Sequence, residues 1–356
     1  MTAIVSGPVV SRPIVSGKMR AYLEFVAAVL FYFLARVMAH RSVSGVASDA
    51  WATLAEQGFL LLLVVVGFAA FGLIFDHQKH PIAEQGLPVR HGWRSEAGLG
   101  VVVGWSAAVV CILPLTLFGG IAIVLSTHRS AWGWLVVDGI FFALAAMVEE
   151  VAFRGYAFQR FIGAIGPFGA TLGFAAFYAA LQALLPGSSY LSILIAALFS
   201  VLMSTAYLRT RALWVSWGLN FGWKASRALF FGLAVSGVSS HSSVIEGDPM
   251  GPFWLTGGGF GLDGSWIAFF VLLAAFPVVY RITRDLDYRY NAPLIVPAGV
   301  AVDLDASARR QHEAAMGPAE PSAPRADSGL VQILPAVTDP LPAASNGAEK
   351  LPDDAP

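Results

Sequence analysis

The sequence is poor in charge, poor in histidine and almost without cysteine. Lys, Arg, Asp and Glu make up 13% of its 356 residues, and the formal net charge is −1. No basic block stands out, so nucleic acid is not an expected partner. The one cysteine, Cys111, lies in an apolar run and excludes an intramolecular disulfide. The seven histidines are His40, His77, His80, His91, His128, His241 and His312, and none falls between residues 132 and 235. What fills the chain instead is hydrophobic: 56% of residues, with a mean hydropathy of +0.67. That is too apolar for an ordinary soluble domain and reads as a polytopic membrane protein.

Eight apolar runs are long enough to cross a bilayer: 22–39, 58–75, 97–118, 132–153, 168–185, 191–208, 213–235 and 266–280. The expected fold class is therefore all-α, a polytopic membrane protein of about eight transmembrane helices, with the lipid bilayer as its first partner. Lys18 and Arg20 precede the first run in the manner of a signal sequence, but no small-residue cleavage site follows, so the run reads as an uncleaved span. With the N-terminus inside, the inner segments hold Arg12, Lys18, Arg20, Lys79, Arg90, Arg94, Arg154, Arg160, Arg209, Arg211, Arg281, Arg284 and Arg289. The outer loops hold only Arg41 and Arg129. Thirteen against two is a strong positive-inside bias and places both termini in the cytoplasm.

The chain divides into a cytoplasmic N-terminal segment (1–19), N-terminal transmembrane helices (20–130), a membrane core (131–290) and a proline-punctuated cytoplasmic tail (291–356) expected to be disordered.

The stretch 147–154, Met-Val-Glu-Glu-Val-Ala-Phe-Arg, stands out inside the fourth run. Adjacent carboxylates in hydrocarbon are costly, and ionisable residues at that depth point to function. Glu150 and Arg154 are four apart and share a helix face. Glu149 points about 100° away and needs its own partner. Gly166 and Pro167 form a turn between the fourth and fifth runs. In the resulting hairpin Glu150 and Gln182 are equidistant from the turn, about 24 Å along ideal helices. Lys224 lies about 21 Å beyond the turn near Thr210, with Asn220 one turn before it and Arg227 three residues after it. The count thus brings Glu149, Glu150, Gln182, Asn220 and Lys224 to one layer. A structural ion-pair network is the plainer reading of the same residues.

The stretch Glu149 to Arg154 resembles the EExxxR signature of the CPBP family, the CAAX prenyl protease and bacteriocin-processing (Abi) intramembrane metallopeptidases. The stretch 213–224 resembles the family's third motif, and 231–237 and 254–264 resemble bacterial members, so the likeness covers roughly 133–265 within the membrane core. It implies a bacterial inner (plasma) membrane endopeptidase that acts on lipidated or hydrophobic peptides, with zinc as cofactor. The catalytic positions it implies are Glu149, Glu150, Arg154, Gln182, Asn220 and Lys224. The chain departs from the family at three of them. Gln182 stands at the end of FxxxH, Asn220 at the third motif's His, and Lys224 at its Asn. Catalytic zinc takes three protein ligands from Cys, His or carboxylate, and an ammonium repels a divalent cation. The expectation is therefore no bound cofactor and a chain that is either an endopeptidase in classification or a pseudoprotease that binds peptides or a membrane partner. A proton-relay transporter ranks below both, since no paired inverted repeat is visible.

Overall fold

The eight apolar runs fall largely on helix, the seventh only as far as Phe230, in the computed structural model, which describes residues 17–45, 49–126, 128–242, 244–284 and 286. Segments before Gly17 and beyond residue 286 lie outside the described residues, and with them the expected disordered tail. The elements are α1 (Gly17–Ser42), α2 (Asp49–Asp76), α3 (Pro81–Glu84), α4 (Trp93–Leu117), β1 (Ile121–Leu125), α5 (Arg129–Arg154), α6 (Tyr156–Ala183), α7 (Tyr190–Thr210), α8 (Trp214–Ala225), a π-helical turn (Ser226–Phe230), β2 (Ile245–Pro249), α9 (Phe253–Thr256) and α10 (Trp266–Ile282). Five stretches are long and apolar enough to span a bilayer by length and composition: Gly17–Ser42, Trp51–Asp76, Trp93–Leu117, Ala131–Ala183 and Tyr190–Thr210. The chain is an all-α polytopic membrane protein. Its described β-structure pairs β1 with β2 antiparallel, Ile121 opposite Pro249, together with one isolated bridge between Val235 and Val238.

Two expectations need correction. The seventh run was read as one span to residue 235, but α8 ends at Ala225, the π turn carries the chain to Phe230, and Gly232 then adopts φ 62°. The fourth and fifth runs are not joined by one tight turn at Gly166 either. Gly155 breaks the helix first, with ψ −136°. Residues 156–165 form a short helix, and Gly166 breaks the chain again at φ 84°, ψ 165°. That left-handed φ suits glycine, and Pro167 has no N–H to lose from the following first turn. The short helix packs against the rest of the protein. Tyr156, Ala157 and Phe158 are buried, and Arg160 reaches Asp76 of α2 at 2.6 Å and Glu24 of α1 at 3.5 Å.

Local sequence explains several helix ends. Ser189 and Ser192 cap α7 reciprocally: the Ser192 N–H donates to Ser189 Oγ (3.1 Å) and the Ser189 N–H donates to Ser192 Oγ (2.8 Å). Ser265 caps α10 by accepting from the Ala268 N–H at 3.1 Å.

The contact that positions the site is α4 against α8. Gly100 and Gly104 of α4 face Gly218 and Gly222 of α8, two small-xxx-small pairs in register. A Cβ at Gly104 would collide with the Leu219 carbonyl and the Trp223 amide. One at Gly222 would collide with the Val101 backbone. Backbones therefore touch directly, as small-residue interfaces allow in membranes. Asn220 and Lys224 are each two residues from a contact glycine, about 200° around α8, and so face away from α4.

Candidate functional site

Glu150 of α5 is fully buried and pairs with Arg154 one turn later, at 3.3 Å. Arg154 in turn crosses to α7, where its Nη2 donates to the Ser200 carbonyl and hydroxyl, each at 3.1 Å. Glu149 faces α8 instead. Lys224 Nζ lies 2.5 and 2.6 Å from its two carboxylate oxygens. Asn220, one turn before Lys224, donates from Nδ2 to Glu149 Oε2 and to Glu150 Oε1, both at 3.0 Å, so one amide joins the neighbouring carboxylates. Tyr178 of α6 adds a hydroxyl donor to Glu149 Oε2 at 3.3 Å.

The remaining predicted position, Gln182, lies one turn beyond Tyr178. It lines the same cavity as Lys224, with no hydrogen bond to either carboxylate among the described residues. The cavity is about 20 Å³ and is walled also by Ser192, Arg227 and Asp263, which leaves room for about one water molecule.

The cluster continues outward. Arg227, in the π turn, lies over the Trp223 ring at 4.5 Å and donates from Nη1 to Asp263 Oδ1 at 2.7 Å. The Ser236 N–H and hydroxyl both donate to Asp263 Oδ2, at 3.1 and 2.9 Å. Burial pushes the Asp263 carboxyl up, but the Arg227 charge and the hydrogen bonds from Arg227 and Ser236 outweigh it and hold the group below its ordinary value. Three carboxylates thus meet three cations: Glu150 with Arg154, Glu149 with Lys224, Asp263 with Arg227. Such one-to-one matching is what allows charge at this depth. π turns in α-helices recur at functional sites, and from this one Arg227 reaches both back to α8, where its Nε donates to the Trp223 carbonyl at 3.1 Å, and across to Asp263 in the connector.

Tyr178, Ser200, Ser236 and the Asp263 partner are additions to the predicted set. Tyr178 was visible, since it lies four residues before Gln182 on one face. The others act across 27 to 46 residues of chain and carry no local signal. Asp138, outside the predicted set, is buried. It accepts from the Ser242 N–H at 2.8 Å, and His241 Nδ1 lies 2.9 Å away. The glycines from Gly257 to Gly259 form a tight connector. Gly257 has φ 76°, and a Cβ there would run into the Gly261 carbonyl.

The donor set does not fit a catalytic divalent metal. Among the described residues no three His, Cys, Asp or Glu side chains gather, and three protein ligands are the usual minimum for catalytic zinc. Glu150 Oε2 and Asn220 Oδ1 are buried acceptors without a partner, but they are only two. The cation at Glu149 is the chain's own ammonium.

Residues 130–226 match the family model described as Type II CAAX prenyl endopeptidase Rce1-like. The match is to an Rce1-like domain and is consistent with the CPBP resemblance of the same residues. It runs from the start of α5 to the first residue of the π turn and contains all six predicted site residues, while Asp263 and Ser236 lie beyond it. The Rce1-like domain is that of an intramembrane protease family. No curated protein and no solved structure matches the chain.

Proposed function

We propose that this chain is a metal-free, non-cleaving relative of the CAAX endopeptidases, embedded in a bacterial inner membrane, that binds a hydrophobic or lipidated peptide or a membrane partner. The Glu149–Lys224 pair carries this reading: the carboxylate that would serve a metal-bound water is neutralised by an ammonium at 2.5 Å. Gln182 and Asn220 support it, since amides are weak substitutes for imidazole ligands. The Rce1-like domain favours a second reading, an active endopeptidase in which Glu149 is general base toward water and Glu150 is held by Arg154. Elemental analysis of detergent-purified protein, run beside a peptidase assay on a lipidated peptide, separates the two. We expect no stoichiometric zinc and no cleavage. About one zinc per chain, lost in Glu149→Ala together with cleavage, would overturn the first reading.

The orientation belongs to the same proposal. Arg154 is committed to the buried cluster and drops out of the loop charges, which leaves twelve inner Lys and Arg against two outer ones. That asymmetry still supports eight spans and cytoplasmic termini. Reporter fusions at Ser126 and within 239–252 should both read outside.

A further inference from the structure

Away from the charge cluster, α1 and α6 enclose an apolar crevice of about 140 Å³, lined by Phe25, Val29, Phe161, Gly173, Phe174 and Phe177. Gly173 leaves room for the Phe161 ring, which a Cβ there would meet at 2.6 Å. Phe161 stacks on Phe25 with ring centroids 4.2 Å apart, and this stack lies at the edge of the crevice. One turn back along α1 and one residue back along α6, the lining changes character. A polar pocket of about 320 Å³ opens there, walled by Arg20, Glu24, Asp76, His77 and Arg160. Ala21, in the pocket wall, lies four residues before Phe25 and eight before Val29, so one face of α1 runs from polar pocket to apolar crevice.

The four charges in the pocket wall match one to one. Arg20 pairs with Glu24 at 2.7 Å and Arg160 with Asp76 at 2.6 Å. Lys18 and Lys79 are exposed and stand next to Gly17 and two residues after His77 in the chain, which brings two further positive charges near the pocket. The Arg20 side chain is 58% exposed despite its ion pair. A cationic rim set one aromatic stack away from a hydrocarbon crevice matches an amphiphile with an anionic head.

We propose that this is a site for one anionic phospholipid of the leaflet at the N-terminal end of α1, with part of an acyl chain in the crevice and the phosphate at the Lys18, Arg20 and Lys79 rim. Juxtamembrane basic residues attract anionic headgroups, and guanidinium groups suit phosphate. The crevice supplies what a free phosphate site lacks, a place for the chain. The inference rests on the membrane reading of the fold and is independent of whether Glu149 is catalytic.

The test uses the full chain, delipidated in neutral detergent. Phosphatidylglycerol, phosphatidylcholine and inorganic phosphate are added separately, and bound lipid is counted by native mass spectrometry beside the thermal midpoint. We expect saturation at one phosphatidylglycerol per chain with a rise in Tm, and neither effect from phosphatidylcholine or phosphate. Lys18→Gln with Lys79→Gln should weaken phosphatidylglycerol binding about 30-fold. Both side chains are exposed, so this variant keeps its fold. Val29→Phe, which fills the crevice, should lower occupancy for phosphatidylglycerol while leaving the rim intact. Equal binding of the two lipids, or no change in the double lysine variant, would overturn the proposal. Phosphate alone reproducing the Tm rise would overturn it too, because the crevice would then be irrelevant.

Discussion

Replacing Lys224 by Met keeps the length of the side chain and removes its charge, leaving Glu149 without a cation. Removing one partner of a buried pair costs roughly 3–5 kcal/mol in soluble proteins. Two features reduce the figure here. Glu149 keeps hydrogen bonds from Asn220 and Tyr178, and its side chain is 26% exposed against 13% for Lys224. We expect a loss of about 2–3 kcal/mol, a fall in Tm of roughly 4–12 °C in detergent at the usual sensitivity of large domains. Lys224→Met with Glu149→Gln should recover much of this, because the stranded charge is gone. Lys224→Met with Glu150→Gln should not, because Glu150 belongs to Arg154. Hydrogen bonds between membrane helices average about 0.6 kcal/mol in double-mutant cycles, so a coupling above ~1 kcal/mol marks an ion pair rather than an ordinary hydrogen bond. Additive losses in the Lys224/Glu149 cycle would refute the pairing.

Gly222→Ala should destabilise by about 1–3 kcal/mol through overpacking against Val101, whereas Gly98→Ala, on the exposed face of α4 with nothing nearby, should stabilise by up to ~1 kcal/mol; chemical unfolding of the two variants checks the difference in sign. Asp263 has its folded pKa depressed, so its clamp on Arg227 contributes above the unfolded carboxylate value and is lost as pH falls through the folded one. The Tm difference between the native chain and Asp263→Asn should accordingly shrink as acid is added, and a difference that grows would reverse the assignment. The triple change Gln182→His, Asn220→His and Lys224→Asn should create zinc binding measurable by elemental analysis, since it restores imidazoles to both family positions and removes the competing ammonium.

Helix content and the cluster's membership were legible because they depend on periodicity. Apolar runs mark spans, and four-residue steps put Glu150 with Arg154 and Asn220 with Lys224. Depth counting brought α5 and α8 together although it assumed a single turn at Gly166. Ten of the residues counted from Gly166 to Glu150 belong to the separate short helix, so the agreement at Lys224 rests on the turn after Thr210, where α7 does end. The same assumption hid the break at Gly155, although Gln182 lines one cavity with Lys224. The small-residue pairs at 100/104 and 218/222 stood in the sequence as GxxxG, a readable signal that hydropathy alone passes over. Asp263 with Arg227 was not readable. A carboxylate in a glycine-rich connector has no periodic context, and only the π turn aims the guanidinium at it.

The glycine seam between α4 and α8 has an evolutionary consequence. Helices that meet through bulky side chains can slide when those side chains change, because the knobs reshape their holes. Here carbonyl and amide groups of one helix are seated against the other, and neither can move without collision. Position 220 and position 224 are thus carried at a constant height and azimuth, whatever they bear. A lineage could exchange imidazole for amide and amide for ammonium on such a rail one residue at a time, with the carboxylates opposite feeling only the new head groups.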